Sequence, residues 1–101
     1  MSEPVSHELT VFVRLFDQGL YWDSHEALEP AWRETRSDFY HGLILLASAY
    51  VHRDRGNPHG VGAQLDKAEP LLRRYGPRHM GVNVERLLEQ ARELRLKHGP
   101  R

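Results

Sequence analysis

Apolar residues recur along this chain at intervals of three and four, and no segment sustains the two-residue alternation of a half-buried strand. The pattern predicts helices and no sheet. Ser6 stands at an N-cap position with Glu8 in the turn behind it, after a short leader at residues 1–6. Leu9, Phe12, Val13 and Phe16 then form one stripe, and Gly19 ends that helix. Tyr21 and Trp22 lead into a second helix, where Asp23 as N-cap and Glu26 three residues later make an acidic capping box. Leu28 and Trp32 mark its packing face. Pro30 lies inside this helix, removes a backbone donor, and is expected to kink or shorten the axis.

A polar turn at 35–38, capped by Ser37 or Asp38, leads into the stretch FYHGLILLASAYVHRD at 39–54. Ten consecutive positions within it, Gly42 to Val51, carry no charge. A bilayer needs roughly 20 apolar residues, so this is the length of a helix buried inside a small domain. Phe39, Leu43, Leu46 and Tyr50 share one face; His41, Leu45, Ser48 and His52 share the opposite one. Gly42, Ala47 and Ala49 are small enough to let neighbouring helices approach closely. Gly56 ends the helix, Asn57 caps the next, and Pro58 fits its first position. A fourth helix is expected over about 58–75, interrupted by Pro70, then a loop at 76–82 and a fifth helix over about 83–97 capped by Asn83. The expected architecture is all-α: one domain over 1–101, an array of four to five helices around a central buried helix at 39–54.

Composition narrows the classes of function. A chain of 101 residues makes one domain and buries about 60–70% of its unfolded surface, enough for a core without staples. There is no cysteine, which excludes disulfides and thiolate metal sites and suits a reducing, cytoplasmic location. Lys plus Arg and Asp plus Glu both number 14, so bulk charge makes no case for nucleic acid or an anionic membrane as partner. The opening MSEPVSHELT lacks the charged-then-apolar layout of a secretion signal. Seven histidines bring titration near neutral pH into question.

Three of those histidines, His25, His41 and His52, sit where chemistry is conceivable. On the second helix His25, Leu28, Glu29, Trp32 and Arg36 project within an arc of about 100°. If the second and third helices turn back near residue 37, His25 comes toward Ser48 and His52, and Glu29 toward His41. The resulting cluster of His25, Glu29, His41 and His52, walled by Trp32 and Leu45, has the donors for a divalent metal or a tuned general base. A His–Glu pair at i, i+4 also satisfies itself without binding anything. The zincin pattern fails because position 29 is glutamate, no Glu-x-x-His pair exists, and there is no nucleophile elbow or phosphate loop. Trp22 precedes its helix and is a candidate for exposure. The stretch RRYGPRH at 73–79 is the best candidate anion patch, although charged loops are usually only solvated. Two short echoes, Ser-His-Glu at 6–8 and 24–26 and Glu-Pro-x-x-Arg at 29–33 and 69–73, are too brief to define a repeat.

Taken in order, Gly19, Tyr21, His25, Glu26, Glu29 and Trp32, then Tyr40, Gly42, Leu43, Ile44 and Ala47, then His52, Gly56, Asn57, Gly60 and Ala63, resemble the family named domain of unknown function 309. The resemblance covers about residues 9–75. It implies a small all-helical protein and points to His25, Glu26, Glu29, Trp32, His52 and Asn57 as binding residues; it supplies no reaction, cofactor or metal. The chain departs from the family pattern at His41, where glutamine is expected, and at Pro30, where a polar helix former is expected. The functional expectation is a non-catalytic module that binds a small ligand or a protein partner, a homo-oligomer among them. The alternative is a small hydrolase-like enzyme, metal-dependent or acid–base, using His25, Glu29 and His52.

Overall fold

Long uncharged segments fold inward, and the one at mid-sequence is covered from several sides. In a computed structural model, which describes residues 6–100, the chain forms α1 (His7–Asp17), α2 (Tyr21–Thr35), α3 (Asp38–Asp54), α4 (Pro58–Arg73), β1 (Arg78–His79), β2 (Val82–Asn83) and α5 (Val84–His98). The leader expected ahead of Ser6 lies outside the described residues. The domain is an all-α array: α1 packs on α2, α2 on α3, α3 on α4 and α4 on α5, with the most extensive interface between α3 and α4. Ten of the seventeen residues of α3 are buried, among them Phe39, Leu43, Leu46, Ala47 and Ala49. It is the central helix that its composition predicts. Among the described residues no helix is long and apolar enough to cross a membrane.

Local signals set most of the boundaries. Ser6 Oγ accepts the Leu9 N–H, Ser37 Oγ that of Tyr40, Asn57 Oδ1 that of Gly60 and Asn83 Oδ1 that of Arg86, so four of the five helices start on a side-chain cap. Gly19 and Gly56 take positive φ, 78° and 67°, at the ends of α1 and α3, where a side chain would strain the backbone. At Gly42 a side chain would press on Leu72, with Cδ2 3.0 Å from the added carbon. The small residue therefore sets how closely α3 and α4 cross.

Four expectations need correction. Asp23 is not the N-cap of α2: the helix starts at Tyr21, behind Leu20, which makes no side-chain cap, and Asp23 lies in the first turn. Neither Pro30 nor Pro70 breaks its helix. The carbonyls that lose a donor belong to Glu26 and Asp66, both exposed, so water can reach them. In each helix the glutamate before the proline pairs with the arginine four residues on, Glu29 with Arg33 and Glu69 with Arg73, bracing the turn that the proline weakens. Third, the loop at 76–82 contains a two-stranded antiparallel ribbon, with Arg78 opposite Asn83 and His79 opposite Val82. Its turn residues Met80 and Gly81 both have positive φ, 49° and 78°, the geometry of a primed hairpin turn. Last, the RRYGPRH segment is not one patch: Arg73 pairs with Glu69, Arg74 with Asp38, and Arg78 bonds the Gly81 carbonyl.

Candidate functional site

Helix α2 runs antiparallel along α3, and the line where they meet is half open to solvent. Two stacks mark it. Near one end the rings of Trp22 and His25 lie parallel, centroids 5.4 Å apart and planes 5° apart, with the Arg55 guanidinium 5.8 Å from the Trp22 ring. Near the other end Trp32 and His41 stack at 4.6 Å, and Arg36, in the left-handed conformation at the C-cap of α2, reaches over Trp32 at 5.2 Å. Each stack combines a tryptophan, an imidazole and a guanidinium drawn from both helices. Trp22 is 51% exposed, as expected, but it lies in the first turn of α2 and not ahead of the helix.

The first stack continues into the His25–Glu29 pair, His25 Nδ1 standing 3.6 Å from Glu29 Oε2. That separation exceeds a hydrogen bond, and Nδ1 is buried with no other partner. Both side chains are about one-fifth exposed, 21% and 23%. Glu29 is also engaged by Arg33 one turn on. Glu26 is exposed.

His52 belongs to a different assembly. Asn57 Oδ1 accepts the Gly60 N–H at 3.1 Å, which turns its amide nitrogen toward His52, and Asn57 Nδ2 lies 3.1 Å from His52 Nδ1. The amide nitrogen can only donate, so Nδ1 is the acceptor and the ring proton sits on Nε2. The ring rests where Gly60 lacks a side chain; a carbon added there would overlap Nδ1 and come within 2.6 Å of Asn57 Nδ2. His52, Asn57 and Gly60 thus form a latch that fixes the corner from α3 into α4.

The four-residue cluster is therefore divided: His25 with Glu29, His41 on Trp32, His52 in the latch. Among the described residues no three His, Asp or Glu side chains converge as a metal site. Helices α2 and α3 pack against each other, but the stacks and the latch draw the imidazoles to separate partners.

Two further features escaped the sequence reading. Tyr21 and Tyr50 stack at 4.2 Å with Phe16 edge-on to both, and the Arg53 guanidinium covers the pair, joining α1, α2 and α3. Burial, and the neighbouring Tyr21, push the Tyr50 phenol up to about 12. Burial opposes the Arg53 charge, but the Asp54 carboxylate and Tyr21 outweigh it and raise its pKa. The second feature is a groove of about 380 Å³ between α1, the hairpin and the start of α5. Its walls come from segments some seventy residues apart in sequence, so no local motif announces it.

The family profile called domain of unknown function matches residues 9–63, more than half the chain, and the protein belongs to that family, number 309. The match spans α1, α2, α3 and the first turns of α4. No curated protein and no solved structure matches the chain. Within the matched region Gly19, Gly42, Gly56, Asn57, Gly60 and His52 each have the architectural role described above. His25, Glu29 and Trp32 line the half-open junction of α2 and α3.

Proposed function

We propose that this domain is a non-catalytic binding module and that its binding face is the α2–α3 junction, in a cytoplasmic protein. The observation that supports this is the pair of Trp–His–Arg stacks. Trp22 and Trp32 are ten residues apart on one helix, about 15 Å along its axis. Tryptophan and arginine are the residue types on which protein interfaces concentrate their affinity, because they offer large rigid apolar area beside a fixed donor set. The imidazoles and guanidiniums beside them favour a partner surface that carries carboxylates. His25, Glu29, Trp32 and Trp22 form the contact set in this reading, while His52 and Asn57 hold the helices that present it. Glu26, on the exposed side of α2, lies at the rim.

The test is site-specific photo-crosslinking from positions 22 and 36, with position 92 on the far helix as control. The expected result is one defined species captured from both junction positions and not from 92, whose purified form loses affinity at least about tenfold for Trp22→Ala. An adduct of twice the chain mass identifies the partner as a second copy. Capture no different from that at position 92, or unchanged affinity in the variant, overturns the proposal.

One observation favours the second reading, a small acid–base or metal-dependent enzyme using His25, Glu29 and His52. A buried ring nitrogen beside a carboxylate is the arrangement of an oriented general base. Against it, Arg33 engages Glu29 and Asn57 occupies His52 Nδ1. Elemental analysis of the purified protein decides the metal-dependent form: stoichiometric metal that His25→Ala abolishes would place this reading first.

A further inference from the structure

The groove between α1 and the hairpin is a separate surface from the α2–α3 junction. Its floor is aromatic: Phe12, Phe16 and Tyr21, with Leu87 from α5. A second, apolar depression adjoins it along α1, built from Leu9 and Met80, and the two share Val13, Gly81 and Val82. The α1 residues lining the two depressions, Leu9–Arg14 in one and Phe12–Asp17 in the other, are offset by about one helical turn. The adjoining depressions form a trough with two seats, the one beside Met80 mainly apolar and the other an aromatic floor between polar walls, spaced like side chains at i and i+3 or i+4 of a docked helix.

The rim carries charge of mainly one sign. Arg14, Arg78 and Arg86 border the trough against a single acid, Asp17. None of these four is in an ion pair among the described residues, whereas Arg73 and Arg95 on the α4–α5 face are paired with Glu69 and Asp66. An apolar floor under a basic rim complements a ligand that is apolar on one face and acidic on its flanks. The hairpin supplies one wall, and its positive-φ turn at Met80 and Gly81 places Met80 against the second seat.

We propose that this trough seats a short acidic amphipathic helix of a partner protein. The apolar side chains of that helix fill the two seats, and its carboxylates meet Arg14, Arg78 and Arg86.

The experiment uses the full chain and a fluorescein-labelled peptide of about 15 residues, leucine at i, i+3, i+4 and i+7 and glutamate elsewhere, followed by anisotropy. Two control peptides carry lysine for glutamate, or the same residues in scrambled order. The acidic amphipathic peptide is expected to bind saturably, at least about tenfold tighter than either control, and to weaken as salt is raised. Arg86→Glu should weaken it about tenfold; that residue lies in the first turn of α5, where an acid favours the helix, so the variant remains folded. Arg78→Gln gives a smaller loss in the same direction. Equal binding of the acidic and lysine peptides, no saturation below about 1 mM, or an affinity indifferent to Arg86→Glu overturns the proposal. So does self-association of the chain that Arg86→Glu abolishes, since a second copy would then be the occupant. Crosslinking from positions 22 and 36 reads a different face, so the two readings fail separately.

Discussion

Gly60 shows how a single missing carbon serves the corner of this fold. The His52 ring occupies its space and Asn57 ties ring and helix start together. Gly60→Ala should therefore destabilise the domain by about 1–3 kcal/mol, through the overlap and the bond to Asn57 that it breaks. In a His52→Ala background the same substitution should cost much less, and a double-mutant cycle by denaturant unfolding measures that coupling. Additive costs would show that ring and glycine act independently. Glu29 makes a smaller contribution. Its Oε2 stands 3.6 Å from His25 Nδ1, beyond a hydrogen bond, and both side chains are partly solvated. Because His25 Nδ1 already lacks a hydrogen-bond partner, Glu29→Ala orphans no atom and should cost at most about 1 kcal/mol, the range of a partly solvated ion pair. Asn57 and Gly56 were readable from sequence as cap and terminator because both act within one turn. His52 was read as a possible ligand because its partners only become visible once the corner is folded.

The elements were legible to the extent that their signals are local. The stripes of α1, α4 and α5 and the uncharged run of α3 predict the helices that form, because a helix buries residues at a fixed spacing. The hairpin was missed for two reasons. Two-residue strands are too short to show alternation, and its turn begins with Met80 in place of the usual Asn or Gly. Pro30 and Pro70 do not end their helices, and in each case the residue whose carbonyl loses its donor, Glu26 or Asp66, is exposed. The placement of α3 at the centre has a direct test. Leu46 is wholly inaccessible, so Leu46→Ala should cost about 2–5 kcal/mol in equilibrium unfolding. A cost under about 1 kcal/mol would put α3 at the periphery.

For the molecule as a whole, the aromatic junction of α1, α2 and α3 links stability to alkaline pH. Tyr50 keeps its proton to about 12 in the folded state, against 10.0 for its ordinary value. Below about pH 10 the phenol is protonated in both states and contributes fully. As pH rises through the window between those values, the unfolded chain releases the proton and the folded one retains it, so stability falls. The loss attributable to this group is on the order of 2 kcal/mol at the top of the window. Denaturant melts near pH 9 and pH 11, compared with Tyr50→Phe, isolate it: the wild type should lose more than the variant. The two surfaces proposed for binding are also properties of the whole molecule, because each draws its side chains from at least two helices.

The sequence by itself determined the helices, the caps of four of them and the central place of 39–54, since hydrophobic spacing and capping chemistry act within a few residues. Only the tertiary structure decided which imidazole meets which partner, and that an arginine-rimmed trough opens beside α1. Those outcomes depend on the register of one helix against another and on chain segments brought together from far apart, and a displacement of one helical turn would redistribute all of them.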